Sequence, residues 1–513
     1  MRVLREGGRS DYDPAARCGR SAIGVAEVKL LRLLLRATGC VLFGLAIVGL
    51  VLYVRFLKSG PELEPWHEVR LTEEFTAERA PGITSLAEYR QLEDRLFAEL
   101  ETRILDRAKP THHEAFNRFH AGSRSDPGIW PVNWNRTFEL GPEQAAGAVL
   151  LLHGLTDSPY SLRSVGEHLA GRGYLVVGLR LPGHGTAPSG LRTFEVQDMQ
   201  AAVRLAMRDL RERMGEHRPI YLIGYSNGAA LAVNYALAAI DDRMLPRPAG
   251  LVLISPAIAV SKLAVVGLVR TGLSSVPGFG RAAWQLIEME VDPYKYSSFS
   301  MHAAGETHRL TTRVARGVQQ LANGGTIDGF PPLLAFISTV DSTVRAEATV
   351  DALLEHLAPP GHELVLFDVN RLTAAGQLLI RDPGPLTQRL RTAPNRPYAL
   401  TVLTNASPDT PQVKELRAAS GSDRFEERLL DAAWPRTVFS LSHVALPFPP
   451  DDPLYGDVPI ENSKHVQLGR LELRGENGVL TVPGWMLTRQ RSNPFHSYLL
   501  ERIDAFVLRG AAP

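Results

Sequence analysis

Apolar positions along this chain follow two rhythms. Between Ala37 and Val54 they run almost without interruption, eighteen residues with no charge. As a helix that run is about 27 Å long and apolar on every side, enough to cross the hydrocarbon layer of a bilayer. From Ala146 onward the rhythm changes. Short Val/Leu/Ile runs at Ala148–Leu152, Tyr174–Leu181, Pro219–Ile223, Gly250–Ile254 and Leu333–Ser338 read as strands. Between them, Ser161–Gly171 and Glu195–Met214 repeat apolar residues at helical spacing, and an Ala-rich helix covers Ala229–Ala239. Strands apolar throughout, joined by amphipathic helices, predict an α/β fold: a mostly parallel sheet with helices on both faces. Such a sheet carries its functional groups at the carboxyl ends of its strands.

The alternation stops between about 259 and 330. Leu263–Val269 and Trp284–Met289 are apolar there, and His308–Asn323 is polar with helical spacing, which predicts a largely helical cap inserted over the strand ends. Further strands are expected at Glu363–Val369, Tyr398–Leu403 and Thr437–Leu441, and a last helix from about Asn493 to Leu508, opened by an Asn-Pro pair. Residues 362–436 and 444–492 read as extra insertions within a domain spanning 146–510. Ahead of that domain, 58–145 reads as a connecting or stalk region. Its clearest element is a helix over Ser85–Leu105, where Leu86, Tyr89, Leu92, Leu96, Leu100 and Ile104 share a face. Trp134–Leu140 is expected as a lead-in strand.

Composition narrows the class. An apolar content of 44% and a charged content of 22% over 513 residues are ordinary for a globular protein. A net charge of +1 gives no electrostatic footprint for nucleic acid. With only Cys18 and Cys40, no disulfide framework is possible in the region that follows. Residues 1–36 form a basic leader, with Arg2, Arg5, Arg9, Arg17, Arg20, Lys29, Arg32 and Arg36 against four acids. That bias predicts an N-terminus kept in the cytoplasm, a single transmembrane helix over 37–57, and the large domain on the extracytoplasmic side. A cleaved signal peptide competes with this reading. The long leader, the full spanning length and the lack of a clear small-residue cleavage site favour an uncleaved anchor.

The chemistry centres on Gly224-Tyr225-Ser226-Asn227-Gly228. This stretch lies between a buried strand and a helix, where a sharp turn exposes its corner side chain. Ser226 there is a candidate nucleophile, and a serine hydroxyl needs a base to take its proton and a carboxylate to orient that base. Asp341, after the strand Leu333–Ser338, and His443, after Thr437–Leu441, follow Ser226 in the chain order this architecture predicts. His465 and His496 are alternative bases. A tetrahedral intermediate also needs two backbone N–H donors. Asn227, following the nucleophile, and Leu155, in the loop His153-Gly154-Leu155-Thr156-Asp157-Ser158-Pro159, are the candidates. His153 and His184 read as structural loop residues.

Metal and nucleotide chemistry have little behind them. His112-His113 is adjacent rather than at ligand spacing, Asp451-Asp452 with Asp457 suggests solvated surface acids before a cation loop, and no phosphate-binding glycine fingerprint occurs. Asn135-Arg136-Thr137 and Asn405-Ala406-Ser407 match the glycosylation sequon.

From about Ala148 to Asn234 the chain resembles the α/β-hydrolase superfamily, in particular its monoacylglycerol-lipase and carboxylesterase branch. The motifs HGLTDSP, LPGHG and GYSNG carry the resemblance in the expected order. It implies a serine esterase that works through an acyl-enzyme, has a cap over the site and needs no cofactor. The substrate expected is a small-molecule or lipid-like ester, and the partner expected is the bilayer that holds the N-terminal helix. A thioesterase, a small-peptide hydrolase or a tethered binding module without turnover are the alternatives.

Overall fold

The computed structural model describes residues 19–58, 61–108, 114–258, 280–341, 343–372, 384–435, 438–469 and 491–510. The chain divides into two compact units, Met1–Gly60 and Pro61–Pro513. Among the described residues of the first, a helix runs from Gly19 to Lys58, and its Arg32–Gly49 segment is long and apolar enough to cross a membrane. A signal sequence near an N-terminus passes the same test of length and hydropathy. The helix already covers residues 19–36, within the stretch read as a leader. Residues 28–36, Val-Lys-Leu-Leu-Arg-Leu-Leu-Leu-Arg, are mostly strong helix formers without glycine or proline, so nothing stops it at the edge of the apolar run.

Among the described residues, the second unit is built on a ten-stranded sheet. Its strands in chain order are β1 Phe138–Leu140, β2 Ala148–Leu152, β3 Leu175–Leu179, β4 Ile220–Tyr225 and β5 Gly250–Ile254. A separate short hairpin, β6 Trp284–Leu286 with β7 Phe299–Ser300, comes next. The sheet then resumes with β8 Leu333–Ser338, β9 His362–Phe367, β10 Ala399–Asn405, β11 Gln412–Ala418 and β12 Glu426–Ala433. Across the sheet the order is β1-β3-β2-β4-β5-β8-β9-β10-β11-β12. From β3 to β10 all neighbours are parallel, while β1, β11 and β12 pair antiparallel at the two edges.

Side chains alternate faces along each strand, which gives two cores. Leu150, Leu222, Leu251, Leu333 and Leu364 pack against helices Val196–Met214, Asn227–Asp241 and Met301–Ala322 through Val203, Met207, Val233, Leu310 and Val314. Val149, Leu151, Tyr221, Ile223, Val252 and Phe336 face the other way, against helices Arg163–Gly171 and His496–Gly510 through Val165, Leu169, Leu499 and Ile503. The last helix starts three residues later than expected, because the Asn493 side chain accepts from the Phe495 N–H in the turn before it.

Several sequence expectations change. The stretch 362–436 is not an added insertion around two strands. It carries β9 to β12 and extends the sheet itself. β11 and β12 escape a hydrophobic pattern because they form a charged edge, with Lys414 paired to Glu427 and Arg428 to Glu415 across the strands. Val438–Leu441 is not a strand; 437 itself lies outside the described residues. Its carbonyls are met by Asn370, whose backbone N–H reaches Phe439 O at 2.7 Å and whose side chain reaches Val438 O at 3.0 Å.

The region expected as a cap also divides. Residues 259–279, with Leu263–Val269, lie outside the described residues. Trp284–Leu286 is extended rather than helical, and the helix Met301–Ala322 packs on Asn227–Asp241 as part of the covering layer. The second expected insertion, 444–492, has no regular element among its described residues 444–469 and 491–492. The connecting region is no stalk: Trp66, Phe75, Tyr89 and Leu92 are buried in the second unit.

Candidate active site

Ser226 stands at the end of β4 and at the mouth of helix Asn227–Asp241, with φ +54° and ψ −113°. Few non-glycine residues hold that conformation, and it aims the side chain out of the turn. The Ser226 N–H donates to Ile254 O at 2.9 Å, which fixes the turn against β5. The flanking glycines serve close approach. A Cβ at Gly224 would lie 2.5 Å from Ala229 N, and one at Gly228 would lie 2.0 Å from Leu152 O. Gly228→Ala must therefore push the helix off β2. Its expected cost is about 1–3 kcal/mol of stability, together with loss of any Ser226-dependent activity. Urea unfolding and an ester assay on the same preparation check this.

The three side chains picked from sequence meet in one hydrogen-bonded line. Ser226 Oγ is 3.0 Å from His443 Nε2, and His443 Nδ1 is 2.8 Å from Asp341 Oδ2. The Asp341 side chain is fully buried and that of His443 nearly so. Asp341 leaves β8 and folds its other oxygen, Oδ1, back onto the N–H groups of Thr343 (2.8 Å) and Val344 (2.9 Å). It does not cap the helix Ala346–Ala352, whose N-cap is Arg345. Tyr225 reinforces the base from below, its hydroxyl donating to His443 O at 3.4 Å.

Leu155 and Asn227 sit on the two expected donor elements. Among the described residues neither backbone N–H has an acceptor within the chain. The Leu155 loop is tightly held. His153 Nε2 accepts from Leu181 N–H at 3.0 Å, Thr156 takes φ +68°, and Thr156 O accepts from Tyr296 N–H at 2.8 Å. His153 is thus a tie between β2 and β3, and burial holds its ring well below the usual histidine pKa. His184 is likewise buried. Its Nδ1 bonds Pro182 O at 2.9 Å, and burial lowers its pKa to about 4.

The other expected residues fall elsewhere. His496 Nε2 bonds Pro447 O at 3.1 Å, and His465 stacks on Trp130 at 4.1 Å. Asp452 is buried, accepting from Tyr160 OH at 2.8 Å and from Arg163, so it belongs to the packing rather than to a cation loop. Among the described residues no group of three or more His, Cys, Asp or Glu side chains is gathered for a metal, and His112-His113 lies outside them. Asn135 and Asn405, the two sequon asparagines, are buried and bonded through their side-chain amides.

Sequence reasoning missed the wall beside this site. A cavity of about 230 Å³ adjoins Tyr225 and Val444, the neighbours of Ser226 and His443. Lys295, Asp157, Asp292, Arg491 and Tyr455 line it, and Leu286 and Met289, both more than 40% exposed, stand at its rim. A lone lysine in Pro293-Tyr294-Lys295-Tyr296 carries no motif that could have pointed here.

Residues 143–370 match the family model described as serine aminopeptidase, S33. A curated relative, the thermostable monoacylglycerol lipase of Bacillus sp. (strain H-257), is 25% identical over 226 residues, which is 44% of this chain and 77% of that protein. Among solved structures, a metagenome-derived lipolytic enzyme is 22% identical, covering 46% of this chain and 88% of its own, with a TM-score of 0.37. The monoacylglycerol lipase of Paleococcus ferrophilus is 21% identical over 45% of this chain and 88% of its own, with a TM-score of 0.34. The parallel sheet and the strained turn at Ser226 are those of an α/β-hydrolase fold, and the matched stretch is similar to hydrolases of the serine aminopeptidase, S33, and monoacylglycerol lipase kinds. Within that class it resembles the monoacylglycerol-lipase branch.

Proposed function

We propose that the protein is a membrane-anchored serine hydrolase that cleaves carboxylic esters, with Ser226 as nucleophile, His443 as general base and acid, and Asp341 as its orienting carboxylate. The observation that carries this reading is the continuous line from Ser226 Oγ through His443 to Asp341, at 3.0 and 2.8 Å. Oγ attacks the ester carbonyl carbon while its proton passes to His443 Nε2. The carbonyl electron pair moves onto oxygen, and the N–H groups of Leu155 and Asn227 receive that oxyanion. Collapse expels the alcohol, whose oxygen takes the proton from Nε2, and the acyl group stays on Oγ. Water then repeats the sequence: it gives a proton to Nε2, attacks the acyl carbon and releases the acid as Oγ recovers its proton.

A lipid-like ester is favoured by the similarity to monoacylglycerol lipases and by the exposed Leu286 and Met289 at the rim of the adjoining cavity. Anchoring by the N-terminal helix, with the site on the extracytoplasmic side, is supported by its length and by the basic leader. Fluorophosphonate labelling of the full-length protein in detergent, read by intact mass and peptide mapping, tests the mechanism. A single adduct on Ser226, absent from Ser226→Ala and His443→Ala, is expected. An adduct elsewhere, none on folded protein, or labelling that survives His443→Ala overturns it.

A further inference from the structure

The loop that supplies Leu155 carries a negative charge against the residue that precedes it. The Asp157 side chain is 8% exposed, and its Oδ2 leans over Gly154 so closely that a Cβ there would come within 2.4 Å. The carboxylate therefore stands over the Cα of Gly154, one residue before Leu155, whose N–H receives the oxyanion in the mechanism above. In a site poor in water, a carboxylate a few ångströms from a forming oxyanion opposes it. Something must cancel that charge.

Lys295 does so from outside the sheet. Its Nζ is 2.6 Å from Asp157 Oδ1, and the next residue, Tyr296, donates its backbone N–H to Thr156 O at 2.8 Å. Two consecutive residues of the β6–β7 hairpin thus grip two consecutive residues of the Leu155 loop. Between the gripped pair and Leu155 the chain turns tightly, with Asp157 N–H on Gly154 O at 3.3 Å and Thr156 at φ +68°. Lys295 also faces the cavity beside Ser226, but its ammonium is already engaged by Asp157.

We propose that Lys295 is a positioning residue for ester hydrolysis: paired with Asp157, it neutralises the carboxylate over Gly154 and holds the Leu155 N–H on the oxyanion, without touching substrate. This rests on the assignment of Leu155 and Asn227 as oxyanion donors. It separates charge from anchoring, because removing Lys295 alone leaves a bare carboxylate at the loop, whereas removing both partners leaves none.

The test uses the full-length protein in detergent, p-nitrophenyl butyrate as substrate and phenylboronic acid as a probe whose tetrahedral anion forms on the serine. Lys295→Met is expected to lower kcat by roughly 10- to 100-fold, short of the loss from deleting an oxyanion donor outright. KM should stay within about twofold, and boronic acid affinity should fall in parallel with kcat. Lys295→Arg should keep most of the activity. The double variant Lys295→Met/Asp157→Asn should turn over faster than Lys295→Met, since the opposing charge is gone, even though the anchor is still missing. A Lys295→Met enzyme with unchanged kcat and boronate affinity overturns the proposal, as does a double variant no faster than the single one. Wild-type protein that neither hydrolyses the ester nor binds the boronic acid overturns the esterase reading itself, and this proposal with it.

Discussion

An Asp341→Asn enzyme is expected to turn over esters on the order of 10⁴-fold more slowly than wild type while folding normally. The reason lies in which oxygen does what. Asp341 Oδ1 accepts from two backbone N–H groups, those of Thr343 and Val344, at 2.8 and 2.9 Å. Only an oxygen can stay there. An asparagine must therefore keep its carbonyl on those donors and turn its NH₂ toward His443 Nδ1, where Oδ2 now sits at 2.8 Å. Facing a donor, Nδ1 has to be the unprotonated nitrogen, so the ring proton moves to Nε2 and points at Ser226 Oγ. That tautomer cannot accept the serine proton. Because the substitution conserves shape and both backbone bonds, the melting temperature should stay within a few degrees. Steady-state kinetics on a p-nitrophenyl ester beside a thermal melt checks both halves. Near-wild-type kcat would mean that the carboxylate does not set the tautomer, and the mechanism proposed above would fall with it.

That variant depends on a contact that the sequence offered only as residue types. The turn at Ser226 was the most legible feature, because everything that makes it is local: an apolar strand, two glycines and an Ala-rich helix within some twenty residues. Asp341 and His443 are expected from chain order and from their place after expected strands. His443 lies within hydrogen-bonding distance of Ser226 and Asp341, although the strand expected before it is not one among the described residues. Val438–Leu441 is apolar but unpaired in the sheet, and Asn370 satisfies its carbonyls instead. No periodicity announces an asparagine side chain standing in for a neighbouring strand.

Elsewhere the hydrophobic pattern is silent where charge does the pairing. β11 and β12 are held at the sheet edge with Lys414–Glu427 and Arg428–Glu415 across them, so their sequences look like a polar loop. Lys295 and Asp157 stand 138 positions apart, and nothing in either segment marks them as partners. For the same reason 58–145 reads as a stalk from sequence alone. Its helical stripe, Leu86 to Ile104, was plain, but a stripe does not say what it faces. It faces the apolar core, and ions tie the same region to the turn after β3.

Those ions give the largest expected loss of stability. Arg180, at the end of β3, is fully buried, with Nη2 2.8 Å and Nη1 3.1 Å from the two oxygens of Glu74 and Nε 2.9 Å from Glu93 Oε1. Its own carbonyl accepts from Tyr89 OH at 2.8 Å, and Nη1 also reaches His184 O at 3.0 Å. One side chain thus joins the segment 74–93 to the turn that follows β3. Arg180→Met fills much of the same space but strands two acids, one of them nearly inaccessible. Removing one partner of a buried pair typically costs about 3–5 kcal/mol, a large share of what holds a domain folded.

The pH dependence of that loss has a definite sign. Burial already pushes the Glu93 carboxyl above its usual value, with Arg180 and the Thr137 bonds pulling it back. Without Arg180 the folded value rises further, so the folded state binds a proton that the unfolded chain releases near pH 4.5. An acid raised in this way destabilises the fold above its folded pKa and ceases to do so below its unfolded one. The deficit of Arg180→Met against wild type, measured by urea unfolding, is therefore expected to be larger at pH 8 than at pH 5. A deficit that did not change with pH would place the loss in packing, and the ion pairs would then be incidental to how the N-terminal segment is held.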